Sequence, residues 1–538
     1  MFSQLHGGKP QAWGCRGRLL GWTHGNSRAV PVKLQPALQR GTLTRNSLQP
    51  DGLLMIAQTH SIRTEGVSPR RYEYVLFLLA ALVTSLLTVR LESSLLLLLL
   101  AGGVPLAVYT LSAACLRTWP YLFVASALVV PPLYPSFLGG ETPVYVANLL
   151  FVAGCFVVLA RGTDFQIGAD FIGKAAAGFL FAVALSIPFG FWFSGTSEGV
   201  GSCLRFFLLL HPFLIYYWLR SYQTSQREES LMLAGKFLLG LGVMAALYGI
   251  VDFYIPIPIP HPFADQYIYL DGRMIRRAQG MLYEASSFGN LSAFFLGLTL
   301  AILLSWWKKL SLGWKITLYL MIGIFTTALF LSYSRGSWAN VLVTVTAFLL
   351  LQRKLRLQIA AASVFVVAGF VLLVYQISPL VVLNFFNWRM GTLLEFWSDP
   401  NLATSGRWEN WWHLVSFFAD HPWYLIFGIG YKTLPHTHLF GRPLIADNGF
   451  LSLTFEAGII GLAAFLWLNR AVFSTTLRAS QQRNSVRATG AAFMFAFWCG
   501  EMVQMVTGDL FTYWRNMVVF FAALALVQTV PEGSTNEG

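Results

Sequence analysis

The sequence has 538 residues, of which 56% are hydrophobic and 11% are charged, and its mean hydropathy is +0.58. An ordinary soluble domain has a smaller apolar share and a larger charged share, so the composition predicts an integral membrane protein. The net charge of +13 fits basic residues collected in cytoplasmic loops, and we do not expect a nucleic-acid-binding protein. The cysteines form no C-x-x-C pair and indicate neither a disulfide framework nor a metal site.

The amino-terminal residues 1–72 differ in kind from the rest of the chain. They are basic, rich in Gly, Pro, Gln and Ser, and contain no apolar run long enough for a signal-peptide core. We predict that they form a disordered cytoplasmic tail. An alternative interpretation is that the natural start is Met55.

From Tyr74 onward, apolar segments long enough to cross a bilayer alternate with short polar breaks. We therefore predict an all-α fold, a polytopic transmembrane helix bundle of about 12 to 14 spans. Transmembrane helices would occupy residues 73–377 and 447–530, with a large outer loop at 378–446 and a cytoplasmic tail at 531–538. The predicted spans are 74–89, 94–111, 118–135, 144–160, 171–193, 203–220, 231–254, 286–306, 313–333, 338–352, 357–377, 447–469, 487–507 and 510–530.

The positions of the positive charges predict the orientation of the chain. If the tail is cytoplasmic, clusters of lysine and arginine fall on the cytoplasmic side at alternate connections. The opposite face then carries the loop at 255–286, the stretch YSRGSWAN at 333–340 and the long connection at 378–446. We therefore expect any chemistry to lie on the outer face.

The long connection is rich in tryptophan, and loops of such length are usually functional. Trp408, Trp411, Val415 and Phe418 recur at helical spacing, which predicts an amphipathic helix on the outer leaflet. The tryptophans are typical of an interfacial aromatic belt, and they could also stack on sugar rings.

Arg335 and Arg407 stand in or near apolar segments of this outer face. An arginine there either reaches the interface with its charged end or faces a cavity and pairs with an anion. A guanidinium binds a phosphate through two hydrogen bonds, so two of them on one face would suit a diphosphate.

The segments YSRGSW, SGRWENW, HPWYLIFGIGYKT and DNGFLSLTFEAGIIGL occur in this order within residues 280 to 470. In order and spacing they resemble the O-antigen ligase and polymerase superfamily of polytopic membrane glycosyltransferases. The resemblance implies an inverting, metal-independent enzyme without a cofactor, whose donor is a polyprenyl-diphosphate-linked oligosaccharide. It also implies a bacterial inner-membrane location, with the 378–446 loop and the active site facing the periplasm.

Carried onto this chain, the resemblance implies that Arg335 and Arg407 hold the diphosphate and neutralise its developing charge. Where ligases of the family have His before Asn, this chain has Asp447 before Asn448. Asp447 could accept the proton of the attacking sugar hydroxyl, or it could cap the following helix. His436 or His438 could supply an imidazole instead.

Further candidates carry less specific signals. Glu284 opens a predicted span, where it could bind the acceptor or simply favour the helix N-terminus. Glu456 lies inside an apolar run, where an acid is either functional or held by structural hydrogen bonds. The candidate substrate-binding residues are Arg335, Arg407, Glu284, Arg276, Arg277, Asn448, His436, His438 and Trp408.

Three functions remain open from the sequence. The D-N pair inclines the interpretation toward a polymerase that extends O-antigen or exopolysaccharide chains on lipid-linked repeat units. A ligase acting on a lipid A core or a protein acceptor is the alternative. A transporter of solutes or lipid-linked oligosaccharides is less favoured, because we find no internal repeat. The expected partners are the lipid-linked donor, the glycan or lipid A core acceptor, and membrane lipids.

Overall fold

The structure is a computed structural model that describes residues 115–132, 145–160, 170–222, 228–255, 266–352 and 364–528, with short gaps inside the last two ranges. The predicted tails at 1–72 and 531–538 and the predicted spans 74–89 and 94–111 lie outside the described residues, as does much of 357–377.

Long α-helices make up most of the described chain. In chain order they are α1 (Cys115–Val129), α2 (Val146–Ala160), α3 (Phe171–Ser194), α4 (Thr196–Tyr222), α5 (Glu228–Tyr254), α6 (Ala285–Trp306), α7 (Leu312–Leu331) and α8 (Arg335–Leu351). Short elements follow, namely α9 (Pro379–Leu383), a 3-10 turn (Gly391–Glu395), α10 (Pro400–Ala403), α11 (Arg407–Asp420), α12 (Tyr424–Phe427) and a 3-10 turn (His438–Phe440). The chain closes with α13 (Gly449–Ser480), α14 (Val486–Gln504), a 3-10 turn (Leu510–Thr512) and α15 (Trp514–Val527).

Between α5 and α6 the chain forms a small antiparallel hairpin of β1 (Tyr267–Leu270) and β2 (Arg273–Arg276). Tyr267 pairs with Arg276, so β2 ends beside the start of β1. The residues that follow β2 lead directly into α6.

Six of the described helices, α3 to α7 and α13, are long and apolar enough to cross a membrane. The helices α2, α8 and α15 are apolar but shorter. The predicted fold class, an all-α polytopic membrane bundle, is confirmed. The α4 helix begins at Thr196 rather than at 203, because a polar stretch, TSEGVGS, is helical and precedes the apolar segment.

Two hydrophobic clusters hold the described residues together. The larger one runs through the long helices, where α8 packs on α14 and α6, α3 packs on α13 and α4, and α15 packs on α4. The smaller one joins the long connection to the start of α13. It contains Leu414, Phe418, Ile429, Leu434, Leu444, Ala446 and Phe455. This second cluster fixes α11 against the chain that enters α13.

Close backbone packing explains the G-x-G stretch and the E-A-G stretch of the sequence. The α13 helix is broken at Gly458, where φ is 72°, a left-handed conformation that suits glycine. Near this break, the amides at 429 and 430 donate to the carbonyls of Phe455 and Glu456 at 2.9 and 3.0 Å. A Cβ atom on Gly428 would lie 2.3 Å from the Glu456 carbonyl oxygen. The predicted span 447–469 is therefore a broken helix, and its first segment ends near this loop.

Candidate active site

A polar cavity of about 430 Å³ opens where several helices begin. Its walls include Arg277, Glu284, Arg407, Asp447, Asp509 and Tyr513. Glu284 precedes α6, Arg407 begins α11, Asp447 lies just before α13, and Tyr513 precedes α15. Helix N-termini carry partial positive charge and unpaired N–H groups, so a space where they converge favours an anion.

The start of α11 holds the chain that leads into α13. Arg407 donates from Nε to Oδ2 of Asp447 at 3.0 Å. Asn410 and Trp411, which are three and four residues further along the helix, donate to the carbonyl oxygens at 445 and 446. Because these positions lie on one helical face, the RWENWW sequence binds three consecutive residues and presents Asp447 to the cavity.

Strained backbone occurs beside the charged groups. Among the described residues, four non-glycine residues have a left-handed backbone, namely Tyr333, Ser405, Lys432 and Asp447. Ser405 contacts Arg335, Lys432 pairs with Asp509, and Asp447 pairs with Arg407. Each such conformation costs about 1–3 kcal/mol, and residues that adopt it tend to cluster at functional sites. Of these four residues, Asp447 lines the cavity.

The helix cap of α13 is Asn448 and not Asp447. The Asn448 Oδ1 atom accepts hydrogen bonds from the amides of Phe450 and Leu451 at 3.1 and 3.0 Å. The interpretation of Asp447 as the cap is therefore wrong, because its carboxylate is turned to Arg407 instead. Asn448 is buried, and its side-chain oxygen is occupied by the cap.

Arg335 lies beside Arg407 but is not among the described residues that line the cavity. Its Nη1 donates to Thr392 Oγ1 at 3.0 Å and its Nη2 donates to Ser405 Oγ at 2.8 Å. The two guanidinium groups are close enough to repel each other. An anion between them would relieve this repulsion.

Arg277 and Glu284 bring opposite charges to one wall of the cavity. Arg277 donates from Nε to the carbonyl of Ser332 at 2.9 Å, and burial lowers the pKa of Arg277 to about 10. Glu284 occupies the N-cap position of α6, but its side chain does not cap the helix. Its carboxylate instead accepts a hydrogen bond from Ser286 Oγ at 2.9 Å, and burial raises the pKa of Glu284.

Asp509 and Lys432 complete the site and were missed by sequence reasoning. Lys432 donates from Nζ to Asp509 Oδ2, and to Thr512 Oγ1 at 3.1 Å. Burial lowers the pKa of Lys432, but the carboxylates of Asp509 and Glu456 outweigh burial and raise it. Lys432 stands in the stretch HPWYLIFGIGYKT, and Asp509 just before the last helix. The sequence signal for this ion pair is that both residues lie next to apolar segments on the predicted outer face.

Glu456 lies in α13 beside the loop that carries Lys432. Its side chain is buried, and its backbone carbonyl accepts a hydrogen bond from the amide of Gly430 at 3.0 Å. This contact holds the loop that carries Lys432 toward Asp509. Of the two interpretations left open from the sequence, the burial and this contact support the structural one.

The predicted histidines do not join the cavity. His436 contacts Arg205 at 3.1 Å and lies 3.8 Å from a carboxylate oxygen of Glu198. His438 begins a 3-10 turn. Neither residue is among the described residues that line the cavity together with Asp447.

Two further candidates also lie away from the described cavity walls. Arg276 forms an ion pair with Asp252 at 3.2 Å and thereby ties the hairpin to α5. Trp408 packs edge-on against Phe396 and contacts Trp411 at a tilt, and 43% of its surface is exposed. Trp408 therefore has a free surface, which could face lipid or sugar.

Among the described residues, no group of three or more His, Cys, Asp or Glu side chains is arranged to hold a metal ion. The cavity combines carboxylates with basic side chains, and Asp447 and Asp509 each pair with a cation. Metal independence and the absence of a cofactor stay predictions.

Comparison with known proteins bears on the part of the chain that carries the site. Residues 318–466 match a family model described as O-antigen ligase. The chain carries an O-antigen ligase domain. This match confirms the predicted superfamily for this part of the chain and supports a glycosyltransferase-like enzyme. No curated protein matches the chain.

The O-antigen ligase domain contains only part of the cavity wall. Arg407 and Asp447 lie inside the matched range, as do Arg335 and Lys432. The other charged residues that line the cavity lie before and after this range in the sequence. They are Arg277, Glu284 and Asp509. The site is thus assembled from three separate parts of the chain.

Proposed function

We propose that this protein transfers a glycan from a polyprenyl-diphosphate donor to an acceptor hydroxyl at the outer face of the bacterial inner membrane. The observation that carries this proposal is the cavity, where Arg277 and Arg407 face three carboxylates at converging helix N-termini within an O-antigen ligase bundle. The reaction would belong to the biosynthesis of cell-surface polysaccharide. The periplasmic side follows from the predicted distribution of positive charge.

The diphosphate would bind at Arg407. Among the described residues, Arg407 uses only its Nε in a hydrogen bond, so both of its Nη groups remain for phosphate oxygens. Two parallel hydrogen bonds from a guanidinium match the geometry of a phosphate. Arg335 stands close enough to add its positive charge, while Thr392 and Ser405 hold its Nη groups in place.

The proposed reaction is an inverting displacement without a metal or cofactor. The acceptor hydroxyl attacks the anomeric carbon while the bond from that carbon to the diphosphate oxygen breaks. Negative charge grows on the diphosphate, where fixed arginines stabilise it most in a site with little water. A carboxylate of the cavity accepts the hydroxyl proton.

We propose that the acceptor is a second lipid-linked chain, which makes the protein a polymerase. This rests on the D-N pair that stands where ligases of the family have H-N. A ligase that transfers the glycan to a lipid A core or a protein is the alternative outcome of the same assay. A transporter is the second alternative.

The test supplies the purified protein with a polyprenyl-diphosphate oligosaccharide and no other acceptor, and follows product length on a gel. A ladder of longer lipid-linked chains supports the polymerase. Transfer that starts only after a lipid A core or protein acceptor is added means a ligase. No product in either assay, together with uptake or flipping of the lipid-linked glycan by vesicles, overturns the enzyme proposal.

The role of Arg335 has a separate test. Arg335→Ala should insert normally into the membrane and lose transfer, since it removes a positive charge beside Arg407. The matched control is Arg470→Ala, because Arg470 is an exposed arginine within α13 and is not among the described cavity residues. Full activity of Arg335→Ala would overturn its role in donor binding.

A further inference from the structure

The three carboxylates of the cavity differ in what neutralises them. Asp447 is paired with Arg407 at 3.0 Å, and Asp509 is paired with Lys432. Glu284 has no ion pair among the described residues, and its carboxylate accepts a hydrogen bond from a hydroxyl group, Ser286 Oγ, at 2.9 Å. A carboxylate held by a guanidinium or an ammonium is a weaker proton acceptor than one held by a hydroxyl.

A second hydroxyl group of the cavity lies near Glu284. The hydroxyl of Tyr513 interacts electrostatically with the Glu284 carboxylate. Glu284, Ser286 and Tyr513 all line the cavity. The Ser286 hydroxyl therefore orients the carboxylate without neutralising it, which suits a group that must take up a proton.

We infer that Glu284 is the catalytic base that receives the proton of the acceptor hydroxyl, and that Asp447 is a positioning residue for Arg407. The inference rests on the proposed glycosyl transfer. The acceptor oxygen forms its bond to the anomeric carbon, and the electron pair of the broken bond leaves with the polyprenyl diphosphate. The proton passes to Glu284, which returns it to water after the products depart.

Several charged or titratable groups face Glu284 and set the pH at which it is ionised. Burial raises the pKa of Glu284, and the neighbouring carboxylates of Asp447 and Asp509 raise it further. The Ser286 hydrogen bond and the charge of Lys432 act in the opposite direction. Arg277 and Tyr513 also interact electrostatically with Glu284. The net effect of these groups is to raise the pKa of Glu284. The carboxylate therefore becomes ionised, and able to accept a proton, at a higher pH than an ordinary carboxyl group.

The deciding experiment is the pH dependence of transfer by the full-length protein, with kcat and donor KM measured separately. The wild-type rate should fall as the pH falls through the pKa of Glu284, because the protonated acid cannot accept another proton. Glu284→Gln should lose about 10²–10⁴-fold in kcat, keep its donor KM and lose this pH dependence. Glu284→Asp should recover part of the rate.

Two neighbouring variants should move the pH midpoint in opposite directions. Ser286→Ala removes a hydrogen bond that lowers the pKa of Glu284, so the midpoint should move to higher pH. Asp447→Asn removes a negative neighbour, so the midpoint should move to lower pH. Asp447→Asn should also raise donor KM more than it lowers kcat, because Arg407 loses its partner.

The results separate this inference from the proposed function. A wild-type rate in Glu284→Gln, or a pH dependence that vanishes in Asp447→Asn, would overturn Glu284 as the base. If Glu284→Gln does not insert into the membrane, the pH midpoints of transfer by Ser286→Ala and Asp447→Asn test the inference. Midpoints equal to that of the wild type would overturn it. No transfer by the wild type at any pH, with either class of acceptor, would instead overturn the proposed function.

Discussion

Two groups of polar side chains in this protein contain acids, and their surroundings differ. In the interior group, Glu501 is fully buried, and its Oε1 accepts hydrogen bonds from the amides of Asn290 and Asn340, both at 2.5 Å. The same amides donate to Gln504 at 2.9 and 3.0 Å. In the cavity group, Glu284 and Asp447 face an open space of about 430 Å³.

The difference shows why residue type alone does not identify a catalytic acid. Glu501 lies on α14 and its amide partners lie on α6 and α8, so the interior group ties three helices together. The cavity group instead leaves Arg407 Nη groups and the Glu284 carboxylate facing space that a substrate can fill. We therefore expect substitutions in the interior group to change stability and those in the cavity group to change the rate.

Apart from that of Glu284→Gln, the largest expected effect is that of Arg407→Ala on transfer. Removing a fixed donor from the developing charge should lower kcat by about 10²–10³-fold, while membrane insertion and thermal unfolding change little. Arg407→Lys should restore only part of the rate, because an ammonium cannot form the two parallel bonds of a guanidinium. Product formation on gels measures the transfer rates of Arg407→Ala and Arg407→Lys. An Arg407→Ala protein as active as Arg470→Ala would contradict the assignment.

The interior group should respond in the opposite way. Glu501→Ala leaves the Asn290 and Asn340 amides without one acceptor, which costs about 1–3 kcal/mol for each unsatisfied group. Glu501→Gln should cost less, since its carbonyl can still accept. Thermal unfolding in detergent measures the loss, and kcat per folded molecule should stay close to that of the wild type. A stable Glu501→Ala protein with no transfer would break the distinction between the two groups.

A smaller effect is expected at the loop that carries Lys432 to the cavity. Gly428 has a φ of 79°, and a Cβ there would lie 2.3 Å from the Glu456 carbonyl oxygen. Gly428→Ala should therefore destabilise the fold by about 1–3 kcal/mol. Gly441→Ala is the matched control, because its φ is 66° but no atom lies within 4 Å of the added Cβ. Equal melting temperatures for the two variants would show that the close packing is unimportant.

The smallest effect is expected at His436, which contacts Arg205 away from the described cavity walls. His436→Ala should change the free energy of unfolding by less than about 0.5 kcal/mol and leave the transfer rate as it is. Thermal unfolding measures the first of these quantities, and steady-state kinetics across pH measures the transfer rate. A large loss of kcat would return the imidazole to consideration as the base.

The sequence by itself determined the membrane class, the all-α fold and most helix positions. Apolar segments long enough to cross a bilayer have few other stable conformations, because every backbone polar group must be satisfied within the segment. The resemblance of the segments SGRWENW and DNGFLSLTFEAGIIGL to the superfamily also singled out Arg407 and Asp447 as candidates.

Only the tertiary structure decided which charged residues share the cavity. Arg276 and Arg277 are neighbours in sequence, yet Arg276 pairs with Asp252 and Arg277 lines the cavity. Lys432 and Asp509 are 77 positions apart and form an ion pair. Such choices depend on how helices pack and on where each backbone turns, and no local pattern of residues records either one.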